Sequence, residues 1–143
     1  MPTTDSRGAA TVPRWPEPLR ITATAHGAQV RVLRRYLTQW LDGDHLDADV
    51  IDDLVLATSE ALENCCDHAY AGASVSGVMT LAARPFDHGL VITVGDDGHW
   101  QPTAAPGTRG RGLAMMRTLV DDVAVHAGAD GTHIALTLYR VGD

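Results

Sequence analysis

Glu60 and Asn64 lie four residues apart in Ser59-Glu60-Ala61-Leu62-Glu63-Asn64, a spacing that sets two side chains next to each other on a helix. An Asn oxygen is a hard ligand suited to Mg2+, an ion that keeps several waters and bridges to phosphate oxygens. A carboxylate beside it can position or deprotonate an attacking hydroxyl. Asp96 closes the apolar run Val91-Ile92-Thr93-Val94-Gly95. A carboxylate at the end of a buried strand can accept the exocyclic amino hydrogen of adenine, and it disfavours guanine, which presents a keto oxygen there. Five glycines, Gly95, Gly98, Gly107, Gly110 and Gly112, flank or follow it. Gly110-Arg111-Gly112-Leu113 enters an apolar helical stretch, where free amides and the positive dipole end would face a phosphate. Phosphoryl transfer is mostly positioning and charge neutralisation, so together these parts suffice for a nucleotide site. Taken singly, each has a plainer reading: a solvated helix face, a turn aspartate, a helix-entry glycine.

The elements that must carry these residues follow from periodicity. Residues 1–18 hold four prolines and read as a leader before the core. Leu19 to Thr24 alternates in polarity, as a half-buried strand does. Val30, Leu33, Leu37, Trp40 and Leu41 recur at helical spacing and stop near Gly43. Leu46 to Tyr70 reads as a second helix with Asp47 as N-cap, an apolar face through Ile51, Leu54, Val55, Thr58, Leu62, Cys65 and Ala69, and Glu60, Asn64 and His68 on the other side. Val78–Ala83 and Leu90–Val94 form a hairpin around Arg84-Pro85-Phe86-Asp87-His88-Gly89. Leu113 to Val120 reads as a short helix, preceded by a mobile lid over Pro102 to Arg109. Val123–Val125 and the alternation Ile134, Leu136, Leu138 are the last two strands. The order β-α-α-β-β-α-β-β predicts an α/β two-layer sandwich, a mixed, mostly antiparallel sheet with helices on one face.

Composition removes several alternatives. The chain has 143 residues, 45% hydrophobic and 20% charged, which suits one soluble domain over residues 19–143. Its formal charge of -7 argues against a nucleic-acid groove, which needs Lys and Arg against phosphates. All 11 basic residues are Arg, so neither a Walker A loop nor Schiff-base chemistry is available. No apolar run is long enough for a membrane span and no secretory pattern opens the chain, which predicts a cytoplasmic protein. Adjacent Cys65 and Cys66 read as small buried residues, since neighbours on a helix cannot easily reach disulfide geometry.

Ser59-Glu60-Ala61-Leu62-Glu63-Asn64 with His68-Ala69-Tyr70 resembles the N box of the Bergerat-fold (GHKL) ATPases, the superfamily of gyrase, the ninety-kilodalton heat-shock chaperone, histidine kinases and the mismatch-repair ATPase. Asp96-Asp97-Gly98 resembles its G1 box, Gly110-Arg111-Gly112-Leu113 its G2 box, and Gly131-Thr132 its final Gly-Thr element. Within the superfamily, the small size and the Ser-Glu-Ala start of the N box are most similar to bacterial anti-sigma factor serine/threonine kinases. The G1 box departs from the pattern Asp-x-Gly-x-Gly, since His99 and Trp100 follow Gly98.

The resemblance implies ATP and Mg2+ as cofactors, and a kinase that sequesters a sigma factor and phosphorylates a serine on a small anti-anti-sigma partner. By position it implies Glu60 as general base and Asn64 as the Mg2+ ligand. Asp96 becomes the adenine acceptor, and the nucleotide is lined by His68, Gly98, Thr108, Arg109, Gly110, Arg111, Gly112, Leu113 and Thr132. Members are commonly homodimers. The alternative reading is a noncatalytic ATP-gated module that holds a regulatory protein.

Overall fold

A computed structural model of the chain describes residues 17–42, 46–70, 77–97, 106–128 and 131–139, without the side chains of 68–70 and 106–111. The strands are β1 (Leu19–Thr24), β2 (Val78–Phe86), β3 (Gly89–Asp96), β4 (Asp122–Gly128) and β5 (Gly131–Tyr139). They form one sheet in the order β1-β2-β3-β5-β4. All four neighbouring pairs are antiparallel, so the mixed sheet expected from sequence is, among the described strands, wholly antiparallel.

Three helices, α1 (Gly27–Asp42), α2 (Ala48–Tyr70) and α3 (Pro106–Leu119), cover one face. The strands bury alternate residues against them: Met79, Leu81 and Ala83 from β2, Leu90, Ile92 and Val94 from β3, Ile134 and Leu136 from β5. Leu33 and Leu37 of α1, Leu54 and Leu62 of α2 and Met116 of α3 close on that surface. Each Val, Leu, Ile or Met among them contributes about 1.5–3 kcal/mol when fully buried. The opposite face is half-exposed and more polar, with Thr22 and Thr80 in contact across β1 and β2. A cavity of about 320 Å³ on that face, lined by Arg20, Ala82, Arg84, Val91 and Thr93, lies away from Glu60, Asn64 and Asp96. The Trp40 indole donates to the Glu17 carbonyl at 2.9 Å, tying the entry of β1 to the end of α1.

Two element boundaries differ from expectation for identifiable reasons. Strand β2 continues through Arg84, Pro85 and Phe86, which leaves a two-residue hairpin loop at Asp87 and His88. Pro85 is tolerated because β1 stops at the Leu19–Ala83 pair, so that stretch of β2 has a neighbour only in β3. Helix α3 begins at Pro106 rather than Leu113, with proline at the first helical position, where its missing N–H removes no hydrogen bond. The second half of the expected lid is therefore helical, and residues 101–105 fall outside the described part. Among the described residues, no helix is long and apolar enough to cross a membrane.

Candidate nucleotide site

Helix α2 is 23 residues long and packs against α1, α3, β2, β3 and β5. The Asp47 carbonyl accepts the Ile51 N–H at 3.0 Å, which starts the helix where the sequence placed its N-cap. Asp49 in the first turn complements the dipole. Midway, the buried Thr58 and Ser59 hydroxyls donate back to the carbonyls of Leu54 and Val55, each at 2.7 Å, which satisfies both hydroxyls inside the helix. Ser59 thus has a structural task.

The next two turns bring Glu60 and Asn64 against α3. A Cβ added at Gly112 would lie 3.3 Å from Glu60 Oε1, 3.8 Å from Asn64 Nδ2 and 3.9 Å from Asn64 Oδ1. Both side chains are half-buried, beside the fully buried Ala57 and Ala61. A solvated ridge is excluded: these polar groups form the wall of a contact between two helices. Leu56, one turn before Glu60 on the same stripe of α2, is 46% exposed, so it is the approach of α3 that covers Glu60 and Asn64.

Asp96 ends β3 and is only 5% exposed. Its ladder partners are Met79 on β2 and Thr132 on β5. Thr132 is 3% exposed, and its Oγ1 is buried without a hydrogen-bond partner among the described residues. An orphaned buried hydroxyl costs about 1–3 kcal/mol, and a polar ligand atom at this place would remove that penalty. The donor set fits a purine edge: a carboxylate for an amino hydrogen and, next to it, a hydroxyl that either donates or accepts.

The surroundings fix Asp96 in place. Asp97 accepts the Val78 N–H on Oδ1 at 2.9 Å and donates its own N–H to the Val78 carbonyl at 3.2 Å, pinning the strand end. Gly131 enters β5 with φ of +123°, and a Cβ there would run into the Asp96 carbonyl and come within 2.9 Å of Asp97 Cα. Only glycine permits that approach. From the helix side, Cys65 lies beside the Asp96 carboxylate. Burial raises its thiol pKa most, followed by the charge of Asp96 and the hydrogen bond to it. Cys66 is pushed up to about 11 by burial, then by Glu63 and Asp67. Both cysteines are free, as their adjacency implied.

Among the sequence-predicted residues, the fold thus assembles Glu60, Asn64 and Gly112 at one place and Asp96 and Thr132 at another, joined by α2. Leu113 is half-buried against the core. Thr108, Arg109, Gly110 and Arg111 belong to the first turns of α3, and His68 to the last turn of α2, with side chains outside those described. Gly98 and Trp100 lie outside the described residues. The glycines of Gly110-Arg111-Gly112 sit inside α3 and do not precede it, which corrects the expected helix-entry loop. Sequence reading did not single out Gly131 or Asp97 as holding Asp96 in place. A glycine directly before a strand threonine was the available signal for Gly131.

A carboxylate at the tip of the central strand, a Glu/Asn wall on the helix above it and a glycine-bearing helix closing the other side define a nucleotide-binding ATPase class of domain. The chain belongs to the histidine kinase-like ATPase domain family, whose model matches residues 23–138, and within it to the group of the serine-protein kinase RsbW. It is 32% identical over 111 residues to RsbW of Bacillus subtilis, and equally to that of Bacillus velezensis, covering 66% of this chain and 68% of either relative. A solved structure of the RsbU and RsbW domains of a Mycobacterium tuberculosis protein matches with a TM-score of 0.70 and 34% identity over 86% of this chain. This chain spans 32% of that longer one. The histidine kinase domain of a blue-light activated kinase from Erythrobacter litoralis matches with a TM-score of 0.58 and 24% identity over 92% of this chain and 65% of its own, a likeness of fold.

Proposed function

We propose that this chain is an ATP-dependent serine-protein kinase of the partner-switching type, acting on a serine of a small anti-anti-sigma protein and binding a sigma factor. One observation carries the catalytic half: Glu60 and Asn64 stand together at Gly112, half-buried, on the helix that also reaches Asp96. That geometry suits a base and a metal ligand facing the phosphate end of a nucleotide whose purine rests on Asp96 and Thr132.

In this reading Asp96 accepts the 6-amino hydrogen of adenine and Thr132 Oγ1 meets the adjoining purine edge. Asn64 offers its side-chain oxygen to Mg2+. Bound there, the ion would supply charge neutralisation on the phosphates. Among the described residues no cluster of three or more His, Cys, Asp or Glu is built for a metal, which agrees with an ion that takes most of its ligands from phosphate and water. His68, Gly98, Thr108, Gly110, Gly112 and Leu113 line the nucleotide, and Arg109 and Arg111 contact its phosphates. Glu60 takes the proton of the acceptor serine hydroxyl, whose oxygen then bonds to the γ-phosphorus as the bond to the β–γ bridging oxygen breaks, leaving ADP and phosphoserine.

The decisive experiment incubates the protein with labelled ATP, Mg2+ and candidate small serine-bearing regulators. Wild type labels a partner, and Glu60→Ala loses about 10²–10⁴-fold in transfer while still binding ATP. Transfer that survives Glu60→Ala removes Glu60 as base. No transfer by wild type, with partner release on a nonhydrolysable ATP analogue, establishes the noncatalytic gated module instead.

A further inference from the structure

Strands β2 and β3 separate irregularly, and the irregularity falls on the residue after Asp96. Continued by one pair, the ladder that sets Met79 opposite Asp96 would set Val78 opposite Asp97. In a regular antiparallel pair at such a place, each residue gives its N–H to the other's carbonyl. Half of that exchange is made, since the Asp97 N–H donates to the Val78 carbonyl at 3.2 Å. The other half is not: the Val78 N–H donates instead to Asp97 Oδ1, at 2.9 Å. The carboxylate stands in for its own backbone carbonyl, as short Asp and Asn side chains do at turns. Strand β3 thus ends at Asp96, with its exit fixed by two hydrogen bonds to one residue of β2. Gly131 closes on the same point from β5, where an added Cβ would meet the Asp96 carbonyl and lie 2.9 Å from Asp97 Cα. The backbone that carries the Asp96 carboxylate is therefore held from both neighbouring strands.

We infer that Asp97 is a positioning residue for the purine: by bonding Val78 through its side chain, it fixes the point from which Asp96 meets the 6-amino group. Its part is geometric, so an acceptor at the Oδ1 position is what matters and the negative charge is not. The inference rests on the proposed role of Asp96 as adenine acceptor, and the test separates the two.

Calorimetry with Mg2+ on wild type, Asp97→Ala, Asp97→Asn, Asp97→Glu and Asp96→Ala measures affinity for ATP and for purine riboside triphosphate, the analogue without the 6-amino group. Thermal unfolding without nucleotide serves as the folding control. Asp97→Ala is expected to weaken ATP about three- to tenfold, the effect of one hydrogen bond to the base left misaligned. Binding of the analogue stays within about twofold, the ordinary scatter of independent effects. Asp97→Asn keeps the Oδ1 acceptor without the charge and binds ATP within about twofold of wild type. Asp97→Glu keeps the charge but carries the carboxylate one methylene further, and it loses ATP affinity as alanine does. If Asp97→Ala melts too low to titrate, the pair Asn and Glu makes the same comparison. Equal losses for both ligands, unchanged ATP affinity in Ala and Glu, or Asn no better than Glu overturns the inference, while an ATP-specific loss in Asp96→Ala preserves the adenine reading. Asp96→Ala binding ATP like wild type overturns both.

Discussion

Gly112 on α3 stands so close to Glu60 on α2 that a methyl group in its place would lie 3.3 Å from the carboxylate Oε1. The contact is tight, yet the group that must give way is the end of a flexible side chain. Glycine inside a helix costs about 1 kcal/mol relative to alanine. Gly112→Ala is therefore expected to leave thermal stability equal or raised while displacing Glu60 and lowering phosphoryl transfer about tenfold or more. Melting curves and transfer rates measured on one preparation check the opposite signs.

Thr132→Val removes the buried hydroxyl that lacks a partner among the described residues. The variant is expected to gain about 1 kcal/mol or more of stability without nucleotide. ATP affinity falls about tenfold at the same time, because the hydroxyl is no longer there to meet the purine. Urea unfolding and nucleotide titration together read both effects.

Gly131→Ala places a Cβ at φ of +123° and against the Asp96 carbonyl. Strain and steric conflict add, so a destabilisation of about 3 kcal/mol or more is expected. Chemical denaturation measures it. A variant as stable as wild type would show that the β5 entry is not held against Asp96.

Alkaline pH acts through the thiols. Cys66 titrates at an ordinary value of 9.0 in the unfolded chain and is raised to about 11 in the fold. Its stabilising contribution is thus fully present below pH 9.0 and is lost as pH climbs toward 11. Urea midpoints followed between those limits, without metal, are expected to decline less steeply in Cys66→Ala than in wild type.

Much of the architecture was legible in the chain. The alternation of Leu19–Thr24 and the stripe Val30, Leu33, Leu37, Leu41 identified β1 and α1, because one buried face imposes its period on the residues. Asp47 announced α2, whose long apolar face needed no partner to be recognised. The start of α3 was hidden, since Gly107, Gly110 and Gly112 are poor helix formers and packing against α2 outweighs propensity there. Pro85 likewise read as a turn, because nothing local shows that the pairing with β1 ends two residues earlier, at Ala83.

Residue types alone established that Glu60, Asn64 and Asp96 are capable of nucleotide chemistry and that no lysine takes part. Tertiary structure decided what each one faces. The register of β3 on β5 sets Asp96 opposite Thr132, and the approach of α3 to α2 puts Gly112 at Glu60. Periodicity records which face of an element is buried; contacts between elements far apart in the chain depend on register and packing, and no local pattern carries them.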